Sequence, residues 1–220
     1  MRLELVSTAT AAFLADLTAR QMQRVVDEDI ISAPLVKRDG GRSFAKMTSA
    51  LAKFYFSTNE VFTRDARRSV IQIIVTRIGH RKDADALFSL EGALNEVDWN
   101  VNLAAEVHVE FAPFVNEAKE RGLLVERAEA SIIEDPDILG GVPVFKGTRV
   151  PASTVVASKR AGFEMDQLRA AYPFLTPTLV EDAEIYLRIH PPVGCPSKAK
   201  APTLVRTPLS SKRVSLPRRA

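Results

Sequence analysis

The sequence predicts a mainly α-helical fold with two helical units, a short mixed α/β connector and a disordered tail. Apolar residues recur at helical spacing through most of the chain before residue 191, and Pro- and Gly-rich turns divide this pattern into segments. The hydrophobic fraction of 46% is sufficient for a packed core. The predicted parts are residues 1–80, 81–130, 131–190 and 191–220.

The first unit, residues 1–80, has the pattern of a helix–turn–helix. Ser7 or Thr8 can cap a short helix that ends at Leu14. Thr18 can cap a second helix, because its side-chain oxygen can accept hydrogen bonds from the free backbone N–H groups of the first turn. The apolar stripe expected to face inward from this second helix is Met22, Val25 and Val26.

A hairpin follows the second helix and completes a winged helix–turn–helix. Asp39-Gly40 predicts a tight turn, because glycine adopts a positive φ without steric cost. Two further helices are predicted over 45–56 and 63–79. The outward Arg and Gln side chains are suited to guanine and adenine edges, and the basic hairpin is suited to phosphates. The candidate DNA-binding residues are Arg20, Gln21, Gln23, Arg24, Lys37, Arg38 and Arg42. The alternative is an amphipathic helix whose charged face is only solvated.

The connector, 81–130, is predicted to contain short strands over 86–90 and 99–103 and a helix over 104–122. Gly122 is the expected C-cap of this helix. The apolar face of the helix and the nearby Trp99 are the candidate contact of a homodimer, because two linked half-sites strengthen binding to DNA.

The second unit, 131–190, opens with a turn-rich segment and continues with helices predicted over 154–161, 165–171 and 177–189. Its Lys146-Gly147-Thr148 resembles part of a phosphate-binding loop, but the lysine precedes the glycine, so the spacing does not match. The interpretation favoured here is structural: Gly140, Gly141 and Gly147 supply turns, and Pro143 and Pro151 stiffen extended pieces.

The tail is rich in Pro, Ser, Lys and Arg and is expected to be disordered in the free protein. From Cys195 to Ala220 it carries seven of the 30 basic residues and no Asp or Glu, which leaves 23 basic against 27 acidic residues elsewhere. A basic tail on a mildly acidic body indicates an acidic partner, either a nucleic acid or an acidic protein pocket.

The second unit closely resembles the C-terminal module of VapB-like antitoxins, long catalogued only as a domain of unknown function. The resemblance rests on a Gly-Gly-x-Pro-x-x-x-Gly-Thr-Arg signature at 140–149, then Gly162, the stretch 172–176 and Tyr186. Residues 1–80 are similar to the MerR-type winged helix–turn–helix that precedes this module in longer members. The resemblance implies a three-helix, homeodomain-like module, a homodimer, autorepression of the operon and a cognate PIN-like ribonuclease toxin.

The resemblance implies a toxin-binding site near the end of the module, but this chain departs from the family pattern there. Members often end the module with Gly-Arg-Pro, whereas this chain has Gly194-Cys195-Pro196, so a tail arginine is expected to take the place of that arginine. A PIN-like nuclease holds Mg²⁺ with clustered carboxylates, which an arginine can grip. The candidate toxin-binding residues are Arg206, Arg213 and Arg218. The alternative is a solvated tail that adds only weak DNA affinity.

The expected function is therefore an antitoxin that binds operator DNA and a toxin, with no cofactor and no catalysis. A stand-alone transcriptional regulator is the second hypothesis, and a Cys/His hydrolase is the third. His80, His108 and His190 are widely separated, and Cys195 is the only cysteine, so neither a CxxC zinc site nor a disulfide within the chain is possible. The apolar N-terminal stretch contains Glu4 and has no signal-peptide cleavage pattern, and no apolar run reaches the ~18 residues of a membrane span. A soluble cytoplasmic protein is expected.

Overall fold

The computed structural model describes residues 3–31, 34–38, 41–104 and 107–191, and it confirms a mainly α-helical chain. The helices are α1 Thr8–Leu14, α2 Ala19–Asp27, α3 Met47–Ser57, α4 Arg64–Gly79, α5 Ala84–Phe88, α6 Ala112–Ser131, α7 Ala152–Arg160, α8 Met165–Ala171 and α9 Pro177–Ile189. The strands are β1 Leu5–Ser7, β2 Val36–Lys37, β3 Ser43–Ala45, β4 Asn100–Ala104, β5 Val107–Glu110, β6 Ile132–Ile133 and β7 Val144–Phe145. None of these helices is long and apolar enough to cross a bilayer.

The first sheet joins the hairpin to the start of the chain. Its strand order is β1-β3-β2, and both pairings are antiparallel, with Phe44 of β3 opposite Val6 on one side and Val36 on the other. Phe44 is fully buried. The hairpin strands predicted from the sequence are therefore present, whereas Asp39 and Gly40 lie outside the described residues.

The helices with the strongest local signals begin and end where the sequence predicts, within about two residues. Ser7 caps α1, since its hydroxyl oxygen accepts a 3.1 Å hydrogen bond from the backbone N–H of Thr10. Helices α3 and α4 occupy the segments predicted as 45–56 and 63–79, and α8 and α9 match their predicted ranges. Helix α7 starts two residues earlier than predicted, directly after Pro151.

Two predictions for the connector differ from the structure. The segment 86–90 is not a strand, because 84–88 form α5; the Ala-Asp-Ala-Leu-Phe segment lacks β-branched residues and contains good helix formers. The helix predicted over 104–122 is confirmed only from Ala112 onward, because residues 107–110 form β5, which pairs with β4. Pro113 fixes that start, since proline is favoured in the first turn of a helix, and Gly122 lies inside α6 rather than at its end.

The buried side chains form two clusters, and α6 contributes to both. One cluster contains the apolar faces of α1–α4, the first sheet and the first half of α6. The other contains the second half of α6, α7–α9 and two residues of α1, Phe13 and Leu14. Trp99 is 8% exposed and Phe111 is fully buried, so both belong to the interior of this chain. The dimer contact predicted on Trp99 and this apolar face is therefore wrong, because the chain's own core covers it.

Polar contacts fasten α9 to α6. The carboxylate of Asp182, which is 1% exposed, accepts hydrogen bonds from Nε of Arg127 at 2.6 Å and from the hydroxyl of Ser131 at 2.8 Å. A second nitrogen of Arg127 reaches Glu181 at 2.7 Å. The buried carboxylate is thus paired and hydrogen-bonded, as burial of a charge requires.

Candidate nucleic-acid interface

The turn between α1 and α2 is short and is held by charged side chains. It spans 15–18, and Asp16 adopts a positive φ of 48°, a conformation that Asp tolerates better than most residues. The Asp16 carboxylate lies 3.2 Å from Arg121 of α6 and 3.3 Å from Lys53 of α3. These two cations, Arg121 first, lower the pKa of Asp16 below its usual value. The turn is thereby fixed to the rest of the core.

Helix α2 is anchored at its start by a capping box. The hydroxyl of Thr18 accepts a hydrogen bond from the backbone N–H of Gln21, and the side-chain oxygen of Gln21 accepts one from the backbone N–H of Thr18. The predicted inward stripe is confirmed, since Met22, Val25 and Val26 are at most 2% exposed. The opposite face of α2 is consequently turned to solvent.

The outer face of α2 presents Arg20, Gln23 and Arg24 as exposed side chains. Gln21, the fourth predicted residue, is half-buried, and its side-chain oxygen is used by the capping box. The first half of α2 contains no acidic residue, whereas Asp27, Glu28 and Asp29 stand at its end. Because recognition helices contact bases mainly through their N-terminal residues, Arg20 and Gln23 are the best placed of the predicted set.

Arg24 is held by neighbours on two sides. Its Nε donates to Glu28 across 2.7 Å, and its guanidinium lies 5.3 Å from the ring centroid of Phe56. The hydrogen bond from Arg24 lowers the pKa of Glu28, and it raises the pKa of the arginine. Both groups are therefore charged at neutral pH, and Arg24 would have to leave Glu28 to contact a base or a phosphate.

The hairpin brings three predicted cations beside α2. Lys37 is exposed on β2. Arg38 donates to the carbonyl oxygen of Val26 at 2.8 Å, and Arg42 donates to Asp27 at 2.6 Å. Arg38 and Arg42 thus bind the C-terminal part of α2 and hold the hairpin against this helix. Lys37 is therefore the most available of the three cations for contact with a nucleic acid.

Helix α4 supplies cations near α2 that the sequence reasoning missed. Arg68 donates to the carbonyl oxygen of Glu28 at 2.6 Å, and Arg64 is exposed close enough to Glu28 to help lower its pKa. The signal was the Arg-Asp-Ala-Arg-Arg run at 64–68, whose proximity to α2 depends on tertiary packing. Arg64 therefore joins the basic groups bordering the outer face of α2.

The C-terminal module presents a different surface. Its signature glycines adopt the turn conformations predicted for them: φ is +68° at Gly140, +85° at Gly141 and +77° at Gly147. Lys146 and Arg149 on either side of Gly147 are exposed. Helix α9 is largely buried against α6 and α7. Its less buried faces carry two acidic side chains, Glu181 and Glu184, and one basic side chain, Arg188. A packed helix with more acidic than basic side chains is poorly suited to the groove of DNA.

The polar groups considered for catalysis are dispersed. Among the described residues, no cluster of three or more His, Cys, Asp or Glu side chains has the geometry to hold a metal ion. His108 is exposed on β5 and lies 2.6 Å from the side-chain oxygen of Asn102, and His190 lies 3.3 Å from Glu129. The proposed toxin contacts Arg206, Arg213 and Arg218, together with Cys195, lie outside the described residues.

The chain is similar to known proteins over its C-terminal module and over most of its length. Residues 132–186, which contain β6, β7 and α7–α8 with most of α9, match the family described as Protein of unknown function (DUF433). The chain is 31% identical over 188 residues to the uncharacterized protein y4eO of Sinorhizobium fredii (strain NBRC 101917 / NGR234). That alignment covers 86% of this chain and 82% of y4eO. No solved structure matches the chain. An alignment over 188 of the 220 residues includes parts of both the N-terminal half and the C-terminal module, and the chain therefore belongs to the same family as y4eO.

Proposed function

We propose that this protein is a DNA-binding antitoxin, which represses its own operon through residues 1–80 and neutralises a PIN-like ribonuclease toxin through its C-terminal tail. The DNA-binding part of the proposal is supported mainly by the outer face of α2. Helix α2 follows α1 after a short turn, and its first half, which contains no acidic residue, exposes Arg20 and Gln23. The hairpin that contains Lys37 lies beside this helix. This order of elements supports a winged helix–turn–helix.

The contrast between the two halves supports DNA reading by the N-terminal one. A recognition helix needs one free polar face, which α2 has, whereas α9 is packed against α1, α6 and α7. Side chains such as Arg20 can make bidentate contacts with guanine, and Lys37 can contact phosphates. The C-terminal module then serves as the platform from which the tail leaves the folded body at Pro191.

The toxin part of the proposal rests on chemistry and on the resemblance of the C-terminal module to VapB-like antitoxins. The tail carries seven cations and no acids, which complements the clustered carboxylates of a Mg²⁺-dependent nuclease. A stand-alone regulator is the second candidate, since the α2 face supports DNA binding whether or not a toxin exists. The two are distinguished by whether the neighbouring gene encodes a nuclease that co-purifies with this chain.

The DNA-binding part is tested by measuring affinity for the chain's own promoter across a salt series. We expect Arg20→Ala to cost about 1–3 kcal/mol and to relax base preference, while Lys37→Ala weakens all sequences alike and reduces the salt slope by about 1. Arg160→Ala, an exposed arginine of α7, is the matched control and is expected to leave both quantities unchanged. Full affinity in the Arg20 and Lys37 variants would exclude this interface.

The toxin part is tested by a ribonuclease assay with the neighbouring nuclease. The triple variant Arg206→Gln/Arg213→Gln/Arg218→Gln is expected to lose inhibition but to fold normally. The variant Lys198→Gln/Lys200→Gln/Lys212→Gln removes the same charge from the same tail and is expected to inhibit nearly as well, because lysine lacks the bidentate fork of arginine. Equal inhibition by wild type and both triple variants would move the toxin contact onto the folded module.

A further inference from the structure

A groove of about 980 Å³ runs between the N-terminal sheet and the ends of α6 and α9. One wall is β1 with the start of α1, and the other is the second half of α6 with the last residues of α9. Its larger aliphatic lining residues are Leu5, Val6, Leu14, Val125 and Ile189. The groove is therefore large, open and partly apolar, which suits a segment of chain better than a compact small molecule.

The wall formed by β1 is the edge of a sheet. The order β1-β3-β2 gives β1 one neighbour, and among the described ranges no second strand pairs with it. Leu5, Val6 and Ser7 all line the groove. An edge strand offers unpaired backbone N–H and C=O groups, which an extended peptide can engage by strand addition.

The charges that line the groove favour a basic occupant. Its four glutamates are Glu4, Glu91, Glu126 and Glu129. Its two permanent cations are already engaged: Lys46 lies 3.1 Å from Glu4 and 3.7 Å from Glu126, and Arg42 lies 2.6 Å from Asp27 of α2. A surplus of carboxylates remains along the walls, so a cationic segment would be attracted to it.

We propose that this groove binds the chain's own basic C-terminal segment, 192–220, in cis. Pro191, the last described residue, itself lines the groove, so the segment starts there. Thr203-Leu204-Val205-Arg206 combines two apolar side chains with an arginine, which matches an apolar floor bordered by glutamates. The residues between Pro191 and Leu204 can span roughly 40 Å when extended, so the groove is within reach.

Occupation of the groove connects the tail to the face that we propose reads DNA. Ala19 and Gln23 of α2 also line the groove, so a bound tail lies beside the first half of that helix. A toxin that takes Arg206 would withdraw the same residue from the groove. The cis contact itself requires neither DNA nor toxin, and it can therefore fail or hold independently of the proposed function.

The test uses the full-length chain alone in solution. Cys195→Ser combined with Thr207→Cys provides a single site for a nitroxide spin label, and relaxation of the backbone amide signals reports which residues lie near it. We expect strong broadening at Leu5–Ser7 and Val125. Glu91→Lys/Glu126→Lys is expected to weaken this broadening several-fold, whereas the matched control Glu60→Lys/Glu120→Lys, with both glutamates exposed and outside the groove, leaves it unchanged.

Two outcomes would overturn the proposal. Broadening that only decreases smoothly with distance along the chain from residue 207 would show that the tail does not occupy the groove. Broadening that appears in isotope-labelled chains mixed with spin-labelled, isotope-free chains would show that the tail binds a second copy instead. Neither experiment contains DNA or a nuclease, so neither result bears on the proposed antitoxin activity.

Discussion

Arg127 of α6 donates its Nε to the carboxylate of Asp182 on α9 across 2.6 Å, and that carboxylate is 1% exposed. Replacing Arg127 by Met would leave Asp182 buried with Ser131 as its remaining described donor. We expect the free energy of unfolding to fall by about 1–3 kcal/mol, because a buried acceptor loses a charged partner. Urea denaturation measures this difference.

The double variant Arg127→Met/Asp182→Leu separates two contributions to the free energy of unfolding. One is the destabilisation by an unpaired buried carboxylate, and the other is the stabilisation by the ion pair itself. Replacing a buried ion pair by apolar residues of similar volume is often neutral, so the double variant is expected to recover most of the stability lost in Arg127→Met. A double variant as unstable as the sum of the single variants Arg127→Met and Asp182→Leu would show no coupling energy between the two side chains and would contradict this expectation.

Because Arg24 is paired with Glu28, we expect the affinity for DNA to rise when the carboxylate of Glu28 is removed. Glu28→Gln frees Arg24 from a 2.7 Å ion pair and removes a negative charge from the end of α2. We expect tighter binding to all DNA sequences, with a steeper salt dependence, because one more cation becomes available to phosphates. Glu60→Gln, an exposed acid after α3, is the control in the same titration. Unchanged affinity in Glu28→Gln would show that Arg24 takes no part in binding.

Tyr186 predicts a loss of stability at alkaline pH. Burial, reinforced by a 3.0 Å hydrogen bond to Glu134, raises the pKa of Tyr186 to about 12 from its ordinary value of 10.0. Between these values the unfolded chain has released the proton and the folded chain has kept it. The stabilisation is therefore complete below about pH 10 and is lost as the pH rises toward 12, by at most about 2–3 kcal/mol.

The variant Tyr186→Phe checks this sign. It is expected to be less stable than wild type by about 1 kcal/mol at pH 8, because the hydrogen bond to Glu134 is gone. The difference in unfolding free energy should shrink and then reverse as the pH approaches 11–12. Tyr172→Phe, which removes a hydroxyl at the end of α8, controls for the loss of a phenol. A constant difference across this pH range would contradict the assignment.

Gly122 predicts a stabilising substitution. It lies inside α6 without a positive φ, and a Cβ added there would meet Leu14 Cδ2 at 4.0 Å, an ordinary contact. We expect Gly122→Ala to raise the free energy of unfolding by about 0.5–1 kcal/mol, because alanine loses less backbone freedom in a helix. Gly147→Ala is the opposite case, since its φ of +77° strains any L side chain although the space is open. Thermal unfolding of both variants is expected to give shifts of opposite sign.

The sequence predicted best those elements whose signals are local. The caps Ser7 and Thr18 and the inward stripe of α2 follow from residue type and spacing alone, and all are present. The segment 107–110 failed because its apolar residues fit both a helical and an alternating pattern. Strand pairing makes this segment a strand, since Val109 lies opposite Val101 of β4. The pattern of residues within the segment does not reveal that partner.

The candidate site divides in the same way. Periodicity was sufficient to predict that Arg20, Gln23 and Arg24 lie on the outer face of α2. The partners of the basic side chains were not predictable, because they come from elements distant in sequence. Arg42 meets Asp27 across the hairpin, and Arg68 of α4 reaches the carbonyl of Glu28. Such pairings decide which cations are free for a partner, and only the packed structure defines them.

The 20-residue helix α6 makes the two halves of this protein a single mechanical body. Helix α6 is about 30 Å long and connects the two buried clusters. Its N-terminal end packs in the interior around Phe111, and its C-terminal half binds α9 through the hydrogen bond from Arg127 to Asp182. A fragment that begins at Ile132, where the matched family segment begins, would lack α6 and would expose the face of α9 that packs against α6. We therefore expect neither half to fold stably without α6, and we expect force applied to the C-terminal module to reach the N-terminal half through this helix.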